Sequence, residues 1–585
     1  MTLLSRLLAA RLGLPPALTS DVTVHRDARV RAPDGTVLMT DAYVAAPGRP
    51  LPVILLRTPY GRRGESGLIG RVFAERGYHA VVQSCRGTFG SVGRLDYDAE
   101  AADGRAAADW IVEQPWSDGT IGMFGPSYLT FTQFALASTR PPQLKAMALA
   151  VWPAERRAYN YPGGAFALDR LAWAYTLEHQ EKPLAFLRMR RQHKALAPAY
   201  GHLPLRDADT VAVGYPVGYF QDAIEHDKPG DPYWTPSDFR WVLKDLGVPV
   251  TLLTGWYDVA LPQMLADYQQ LRDGGQRVQL TIGAWHHTSR DLVRQEFADA
   301  FDWFGTHLLG RAPATGRAEI RLEVMGGGGW RDLAEWPPAG IVQRWHLHPD
   351  GVLAPDAPTE SEPDRYLYDP ADPTPAVGGT SVMHCGPRDN RALEARPDVL
   401  TFTSAPAQAP LVITGPVTVE LFAGSSRPHT DFFARLCDVG PDGTSVNITD
   451  GIRRLDDATG QPLLVTIELW PTAHQFRPGH RIRLQVSSGA HPRYTRNLGG
   501  GEPLATAVTL RTAQQAVYHD PAHPSAVLLP LVSNGTGPTR LLLTDLEAGM
   551  KSGAVCGTAG FHWRALSWCQ DNLAVVKVTT IGLVT

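Results

Sequence analysis

Short, continuous apolar runs recur between residues 51 and 150 and return between residues 248 and 282. Segments of helical character separate the early runs from one another. Runs of this length suit strands that are buried on both faces, as in the parallel sheet of an α/β domain. An earlier pair of alternating runs flanks Pro33 to Gly35, which predicts a hairpin at the start of the sheet. The apolar runs are Pro52–Leu56, Ala80–Val82, Thr120–Phe124, Val248–Leu253 and Arg277–Ile282.

The stretch from residue 151 to 245 loses this rhythm and becomes rich in aromatic residues and arginine. It contains helical patterns such as Leu168–Gln180 and Leu184–His193. We interpret it as a helical cap inserted into the α/β domain. That domain would then be made of two parts, residues 1–150 and 246–312.

After residue 313 the apolar residues recur with a period of two. Alternation over short runs, with turns rich in proline and glycine between them, is typical of an antiparallel β-sandwich. We therefore expect a jelly-roll domain over residues 313–532. Residues 533–585 alternate poorly, and the sequence predicts no structure for this tail. The alternating runs are Ile320–Val324, Val417–Leu421, Val465–Leu469 and Arg481–Val486.

The length and composition of the chain limit the number of domains and the kinds of molecule that it can bind. A chain of 585 residues exceeds the size at which single cores stop growing, about 250 to 300 residues, so several domains are expected. The net charge is −4 and no long run of lysine or arginine occurs. We therefore expect a small-molecule substrate rather than nucleic acid or an anionic membrane. The cap and the sandwich both offer surfaces for self-association, but the sequence does not set an oligomeric state.

Cysteine usage and the amino terminus bear on location. Five scattered cysteines without CxxC spacing indicate free thiols rather than a disulfide framework or a zinc site. The first residues predict a short amphipathic helix rather than a secretion signal, because Arg6 and Arg11 interrupt the apolar stretch. No uninterrupted apolar stretch reaches 18 residues. We expect a cytoplasmic location.

Ser127 is the candidate nucleophile. It follows a short apolar strand and precedes a run, Phe131–Ser138, that can be helical. A strand, a sharp turn and a helix are the context that presents a serine Oγ at the sheet edge. The Gly-Pro-Ser match is weak taken alone, and a turn serine is the commoner explanation of it. A serine hydroxyl also needs a base and a group that orients the base.

Two downstream loops supply these groups. Asp258 ends a loop after the apolar strand that begins at Val248, and His287 ends a loop after the next one. Helix capping is the alternative for the aspartate. His286 and His287 could suggest a metal, but no carboxylate or cysteine lies at ligand spacing, so we predict no metal or other cofactor. The order Ser127, Asp258, His287 matches that of α/β-hydrolases.

Two tyrosines are candidate oxyanion donors. The backbone N–H of Tyr128 follows the nucleophile, and the phenol of Tyr60 follows the strand Pro52–Leu56. A packing role is the alternative for Tyr60. Four aromatic residues could also form a substrate pocket, although such residues more often belong to a core. They are Phe166, Trp173, Trp256 and Trp285.

These loops carry a family resemblance. Over residues 25–530 the sequence resembles the cocaine esterase and X-prolyl dipeptidyl-peptidase group (CocE/NonD) of α/β-hydrolases. The resemblance implies an α/β-hydrolase fold with an inserted helical cap and a C-terminal jelly roll. The segments that carry it are Arg57 to Tyr60, Cys85 to Ser91, Gln114 to Gly122, Gly125 to Leu129, Gly255 to Asp258 and Gly283 to His287.

The resemblance also implies site residues. The family's catalytic triad falls on Ser127, Asp258 and His287, and its oxyanion donors fall on the hydroxyl of Tyr60 and the amide of Tyr128. The sequence departs from the family pattern at two positions. Leucine occupies position 129, where the elbow usually has glycine, and alanine occupies position 284, where the family has proline.

The residues and the resemblance together predict a serine hydrolase. We expect cleavage of carboxylic esters, with amides as a further class, through an acyl-enzyme intermediate. An X-prolyl dipeptidyl-peptidase type of aminopeptidase is one alternative. The α-amino-acid ester hydrolase type is disfavoured, because Val259 to Leu261 stand where that type has carboxylates. The other alternative is an inactive protein that binds a ligand through its sandwich.

Overall fold

The computed structural model describes residues 2–45, 49–313, 316–382, 385–458 and 462–532. The predicted tail, residues 533–585, lies outside the described residues. Among the residues that are described, no helix is both long and apolar enough to cross a membrane.

A mixed sheet of ten strands forms the centre of the first domain. Strands β3 to β9 run parallel, while the first two strands and the last one are antiparallel to their neighbours. The strands are β1 (Val22–Arg31), β2 (Val37–Ala45), β3 (Leu51–Thr58), β4 (His79–Ser84), β5 (Ser117–Pro126), β6 (Leu144–Ala150), β7 (Val250–Tyr257), β8 (Val278–His286), β9 (Ile320–Val324) and β10 (Gly329–Leu333). Their spatial order is β1-β2-β4-β3-β5-β6-β7-β8-β9-β10.

The strands form as the apolar runs predict. Every residue of β4 and β7 is buried, since helices cover both faces of the sheet. The predicted hairpin is confirmed, because β1 pairs antiparallel with β2.

Helices flank this sheet and build the cap. Four helices precede the cap: α1 (Leu3–Leu12), α2 (Glu65–Ala74), α3 (Glu100–Val112) and α4 (Tyr128–Ser138). The cap contains α5 (Arg156–Asn160), α6 (Arg170–His179), α7 (Ala185–Arg190), α8 (Gln192–Tyr200), α9 (Ala208–Val213), α10 (Gly218–Glu225) and α11 (Arg240–Leu243). Helices α12 (Leu261–Asp273) and α13 (Arg290–His307) follow it. The cap has its own apolar core, which includes Phe166, Leu171 and Phe220.

The alternating run Ile320–Val324 does not belong to the sandwich, contrary to the prediction. It forms β9, which pairs parallel with β8 of the first sheet and antiparallel with β10. Its residues alternate between buried and half-buried because it lies next to the edge strand. The sheet of the first domain thus continues past residue 313.

The C-terminal domain is a β-sandwich, as predicted. Its long strands alternate buried and less buried residues, which places one face of each against the core. The elements are β11 (Ile341–His348), β12 (Val352–Ala354), β13 (Asp364–Tyr368), α14 (Arg391–Glu394), β14 (Leu400–Thr403), β15 (Leu411–Ser425), β16 (Thr430–Val439), β17 (Ser445–Leu455), β18 (Leu463–Phe476), β19 (Arg481–Ser487), β20 (Ala513–Tyr518) and β21 (Ala526–Leu531).

Buried contacts join the sandwich to the first domain. One continuous apolar cluster contains Val53 and Leu252 of the first sheet together with Val417 and Leu484 of the sandwich. Tyr257, the last residue of β7, donates a hydrogen bond of 3.1 Å to the carbonyl of Asn447 in β17. The two domains therefore share one core.

Candidate active site

Ser127 lies in a sharp turn between β5 and α4. Its backbone has φ 58° and ψ −126°, a conformation with positive φ that non-glycine residues rarely adopt. Three groups hold the turn: the Ser127 N–H donates to the carbonyl of Ala150, and the side chains of Thr130 and Gln133 donate to the carbonyl of Gly125. This geometry is that of a nucleophile elbow, which projects the side chain above the sheet edge.

His287 bridges Ser127 and Asp258. Its Nε2 lies 3.0 Å from Ser127 Oγ, and its Nδ1 lies 2.8 Å from Asp258 Oδ2. Asp258 is fully buried, and its other oxygen accepts a hydrogen bond from the N–H of Ala260 at 2.8 Å. Because all three residues follow parallel strands, β5, β7 and β8, they meet at one edge of the sheet. A base held between a hydroxyl and a carboxylate can remove the serine proton.

The phenol of Tyr60 lies close enough to Ser127 for the serine hydroxyl to influence its pKa. Its oxygen accepts a hydrogen bond of 3.0 Å from the indole N–H of Trp173 in α6. Burial raises the pKa of Tyr60 above its ordinary value, so the hydroxyl keeps its proton near neutral pH. Trp173 also stacks on the ring of Tyr128, with 6.0 Å between centroids. The cap thus contacts the side chains of both tyrosines.

Tyr128 begins α4, so its backbone N–H has no carbonyl partner within the helix and is available to an oxyanion. Its buried hydroxyl donates to Glu100 Oε1 at 2.9 Å. Glu100 also pairs with Arg57, whose Nε donates to Gln83 at 2.8 Å. This buried network fixes the base of the elbow. No sequence motif marks Glu100 or Gln83; the one local sign of a buried polar network is Arg57, a charged residue at the end of an otherwise apolar run.

The leucine at position 129 fits the elbow. Its side chain is buried and covers the Cα of Gly125, so that a Cβ at position 125 would overlap it. Gly125 has φ +135°, which glycine adopts without strain. The glycine that this elbow requires therefore precedes the serine, and the leucine occupies the space beside it.

The remaining aromatic candidates lie in packed regions. Phe166 is fully buried in the cap core, in contact with Tyr161 and Phe220. Trp256 is 1% exposed, and its indole donates to the carbonyl of Glu323 in β9. These contacts favour a structural role for both residues.

Trp285 is buried against Val151 and Leu253 and packs near Trp330. The structure therefore brings only Trp173, of the four aromatic candidates, into contact with Tyr60.

His286 is the neighbour of the candidate base. Burial lowers its pKa below the ordinary value, and its ring contacts the hydroxyl of Thr288. The ring that lies against Ser127 Oγ is that of His287. Within the described ranges, no group of three or more histidine, cysteine, aspartate or glutamate side chains is placed to hold a metal ion.

Comparisons with known proteins identify related sequences and folds. Residues 34–289 match the family model described as X-Pro dipeptidyl-peptidase (S15 family), and residues 314–528 match its C-terminal non-catalytic domain. A cocaine esterase of Rhodococcus sp. (strain MB1 Bresler) is 31% identical over 559 residues, which cover 85% of this chain and 97% of that protein.

Solved structures share the fold. An α-amino acid ester hydrolase superposes with a TM-score of 0.75 at 24% identity, over 89% of this chain and 98% of that one. An aminopeptidase from a marine sediment Thaumarchaeota archaeon superposes with a TM-score of 0.72 at 22% identity, also over 89% and 98%. With its elbow, its sandwich and this similarity along most of its length, the chain belongs to the cocaine esterase and X-Pro dipeptidyl-peptidase (S15) family of serine hydrolases.

Proposed function

We propose that the chain hydrolyses carboxylic esters of small molecules through an acyl-enzyme on Ser127. The observation that carries the proposal is the continuous hydrogen-bonded series from Ser127 Oγ through His287 to buried Asp258. Membership of a family of serine ester hydrolases supports the same chemistry. We further propose a cytoplasmic location, which the buried thiols of Cys85 and Cys437 support.

Acylation follows from the distances. His287 Nε2 takes the proton of Ser127 as Oγ attacks the ester carbonyl, and Asp258 stabilises the imidazolium that forms. The negative charge that develops on the carbonyl oxygen meets two donors, the hydroxyl of Tyr60 and the N–H of Tyr128. His287 then gives its proton to the departing alkoxide, which leaves as the alcohol.

Deacylation uses the same groups. A water molecule loses a proton to His287 and attacks the acyl carbonyl, and the same two donors stabilise the second tetrahedral intermediate. Collapse of this intermediate breaks the bond to Ser127 Oγ, which takes its proton back from His287. The products are the carboxylic acid and the free enzyme.

The preference for esters without a free α-ammonium group rests on the three residues after the catalytic aspartate. Val259, Ala260 and Leu261 are apolar and almost completely buried. They supply no carboxylate to bind an ammonium group. Aminopeptidase activity on X-prolyl substrates is the second candidate, and the matched family model supports it by name.

Labelling with a fluorophosphonate tests the proposal. We expect the wild-type protein to be labelled once, at Ser127, and the Ser127→Ala variant to remain unlabelled. His287→Gln removes the contact with Ser127 and should slow the labelling. His286→Gln is its matched control, because it leaves that contact in place. An unlabelled wild-type protein would contradict the proposal.

A substrate panel then separates the two candidate activities. The panel contains p-nitrophenyl acetate and butyrate, aryl esters, simple amides and aminoacyl-prolyl amides. We expect the highest kcat/KM on the esters. Faster hydrolysis of aminoacyl-prolyl amides would identify the chain as an aminopeptidase instead.

A further inference from the structure

Helix α7 of the cap and the residue before it present large apolar side chains to solvent. Leu184 is 72% exposed, Leu187 44% and Phe186 40%. Ala185 and Met189, one helical turn apart, are half-buried, and Met189 packs against the cap core. Single exposed leucines are ordinary on protein surfaces, whereas neighbouring exposed apolar residues mark a surface that binds something.

Exposed cations lie beside these apolar side chains. In the described part of the chain, no carboxylate forms an ion pair with any of the cations between Leu184 and Lys194. The guanidinium of Arg190 lies over the ring of Phe186, 5.5 Å from its centroid. We call residues 184–194 the basic cap face. Its cations are Arg188, Arg190, Arg191 and Lys194.

The acidic residues that precede the basic cap face have other partners. Glu178 accepts hydrogen bonds from the hydroxyls of Tyr215 at 2.7 Å and Tyr219 at 3.3 Å. Glu181 accepts one from the backbone N–H of Phe89 at 2.9 Å. Between residues 182 and 206 the sequence contains six lysines and arginines and no aspartate or glutamate. The face therefore carries an uncompensated positive charge.

An anionic lipid surface matches both the charge and the apolar side chains. Anionic headgroups attract nearby lysines and arginines, and the boundary between headgroups and acyl chains accepts apolar side chains. A nucleic acid would pair with the cations but would leave Leu184 and Leu187 in water. A two-fold contact between copies of this chain would bring the cations of one face against those of the other.

The net charge of the whole chain does not oppose such a contact. The value of −4, from which no membrane partner was expected, is a sum over 585 residues. Charges farther apart than the Debye length, about 10 Å at 0.1 M salt, are largely screened from one another. A bilayer in contact with the basic cap face is therefore attracted by the local cations and feels little of the distant carboxylates.

The basic cap face lies near the loop that carries Tyr60. Gln180, at the end of α6, donates a hydrogen bond of 2.8 Å to the carbonyl of Pro59. Leu184 follows Gln180 by four residues, which span at most about 14 Å. A surface that contacts Leu184 is therefore close to the part of the cap that covers the candidate active site.

We propose that the basic cap face docks the protein on an anionic lipid bilayer. Leu184, Phe186 and Leu187 enter the boundary between headgroups and acyl chains, and the four cations contact the lipid phosphates and carboxylates. The cytoplasmic leaflet of cell membranes is the anionic one, which agrees with the location proposed above. Docking in this way does not require the esterase activity.

Binding to lipid vesicles tests the proposal. Full-length Ser127→Ala protein is used, so that no lipid ester can be hydrolysed at the triad. It is sedimented with vesicles of phosphatidylcholine alone or with about 30% phosphatidylserine. We expect binding to the mixed vesicles, little binding to phosphatidylcholine alone, and loss of most binding when the salt is raised from about 0.1 M to 1 M. Hydrogen exchange should show protection by the vesicles in peptides that cover residues 184–194.

Charge variants assign the binding to this face. The double variant Arg188→Gln, Arg191→Gln should lower the partition coefficient about 30-fold, because each cation near an anionic surface contributes about fivefold. The double variant Arg331→Gln, Arg365→Gln is the matched control. It removes two exposed arginines that lie in β10 and β13, outside the cap.

An apolar variant separates a bilayer from other polyanions. Leu184→Asn should lower the partition coefficient at least about fivefold, because an apolar group that enters the bilayer is lost. Leu184 has φ 59°, a conformation that asparagine adopts more readily than leucine, so the variant should fold. Ile341→Asn is the matched control, since Ile341 is 76% exposed but lies in the sandwich.

Three results would overturn the proposal. The first is no binding to the mixed vesicles. The second is binding that the variants of the basic cap face leave unchanged, which would assign it to another part of the chain. The third is binding that depends on the arginines but not on Leu184 and is equalled by single-stranded DNA, which would make the face a nucleic-acid site. Unchanged thermal midpoints show that the variants are folded. Because inactive protein is used throughout, failure here leaves the proposed esterase activity unaffected.

Discussion

At the scale of single residues, the site depends on groups that the surrounding structure holds in one orientation. Tyr60 accepts from Trp173 and is therefore free to use its own proton toward Ser127 or an oxyanion. The tyrosine hydroxyl is the one candidate oxyanion donor that a conservative substitution can remove, because the amide of Tyr128 belongs to the backbone.

Tyr60→Phe should lower kcat by about 10²- to 10³-fold, the range observed when one oxyanion donor is removed. KM should change little, because the donor acts mainly on the charge of the transition state. Steady-state kinetics on p-nitrophenyl butyrate measures both constants. Tyr219→Phe is the matched control, since Tyr219 also packs on Trp173 but bonds to Glu178. Equal kcat values for the two variants would remove Tyr60 from the oxyanion site.

Gly125 and Leu129 are in close contact in the elbow. In Gly125→Ala the new methyl group would overlap Leu129, in a backbone conformation that already disfavours a side chain. We expect the rate of fluorophosphonate labelling to fall at least about tenfold, a barrier increase of about 1.4 kcal/mol. Gly119→Ala is the control, because Gly119 also has a positive φ, +83°, but has open space around it. Similar labelling rates would show that the elbow tolerates the overlap.

At the scale of elements, the carboxyl ends of β5, β7 and β8 determine the site. Continuous apolar runs predicted these strands, and the loops after them predicted Ser127, Asp258 and His287, because parallel strands end at a common edge. The alternation of apolar and polar residues did not show to which domain β9 belongs. A strand beside a sheet edge has one buried and one more exposed face, whether the sheet belongs to an α/β domain or to a sandwich.

The aromatic candidates show a different limit of the sequence. Phe166, Trp256 and Trp285 have the composition of a binding pocket, but whether an aromatic ring faces a cavity or a core depends on tertiary packing. Trp173 contacts Tyr60 only because α6 of the cap lies over the sheet edge. No local pattern encodes that placement.

Helix α13 carries a buried acid whose titration should affect stability. Burial, with smaller effects of Glu65 and Asp299, raises the pKa of Glu296 from 4.5 to about 8. Between these values the folded state keeps a proton that the unfolded state releases, so the free energy of unfolding should fall as the pH rises. Above pH 8 both states are ionised and this contribution becomes constant.

Glu296→Gln should therefore be more stable than the wild type at pH 8, by a few kcal/mol at most, with the difference vanishing toward pH 4.5. Denaturant unfolding followed at several pH values measures this. Glu335→Gln, at an exposed position, should leave the pH dependence of the wild type unchanged. A stability difference that is the same at all pH values would contradict the assignment.

At the scale of the whole molecule, the two matched domains behave as one packed body. The shared apolar cluster and the bond from Tyr257 to Asn447 place the sandwich against the strand that leads to Asp258. The sequence predicted both domains but not this contact, because it involves residues about 190 positions apart.

We expect a single calorimetric unfolding transition for the region that ends at Val532, with equal calorimetric and van't Hoff enthalpies. Tyr257→Phe removes the hydrogen bond to the Asn447 carbonyl and should lower the stability by about 1 kcal/mol, moving the whole transition together. Tyr268→Phe is a suitable comparison, because its hydroxyl contacts Arg272 within the same helix. Two separate transitions would mean that the domains unfold independently.

The pairing of β9 with β8 has a consequence for how such proteins can recombine. Residues 320–333 lie on the sandwich side of the boundary in sequence, yet they complete the catalytic sheet. Suppose that the genes of two relatives recombine at the codon for residue 313. The catalytic sheet of the product would then take β9 and β10 from one relative and its other strands from the other. Inheritance of the sandwich as an intact module therefore requires a junction after Leu333, in the segment that leads to β11.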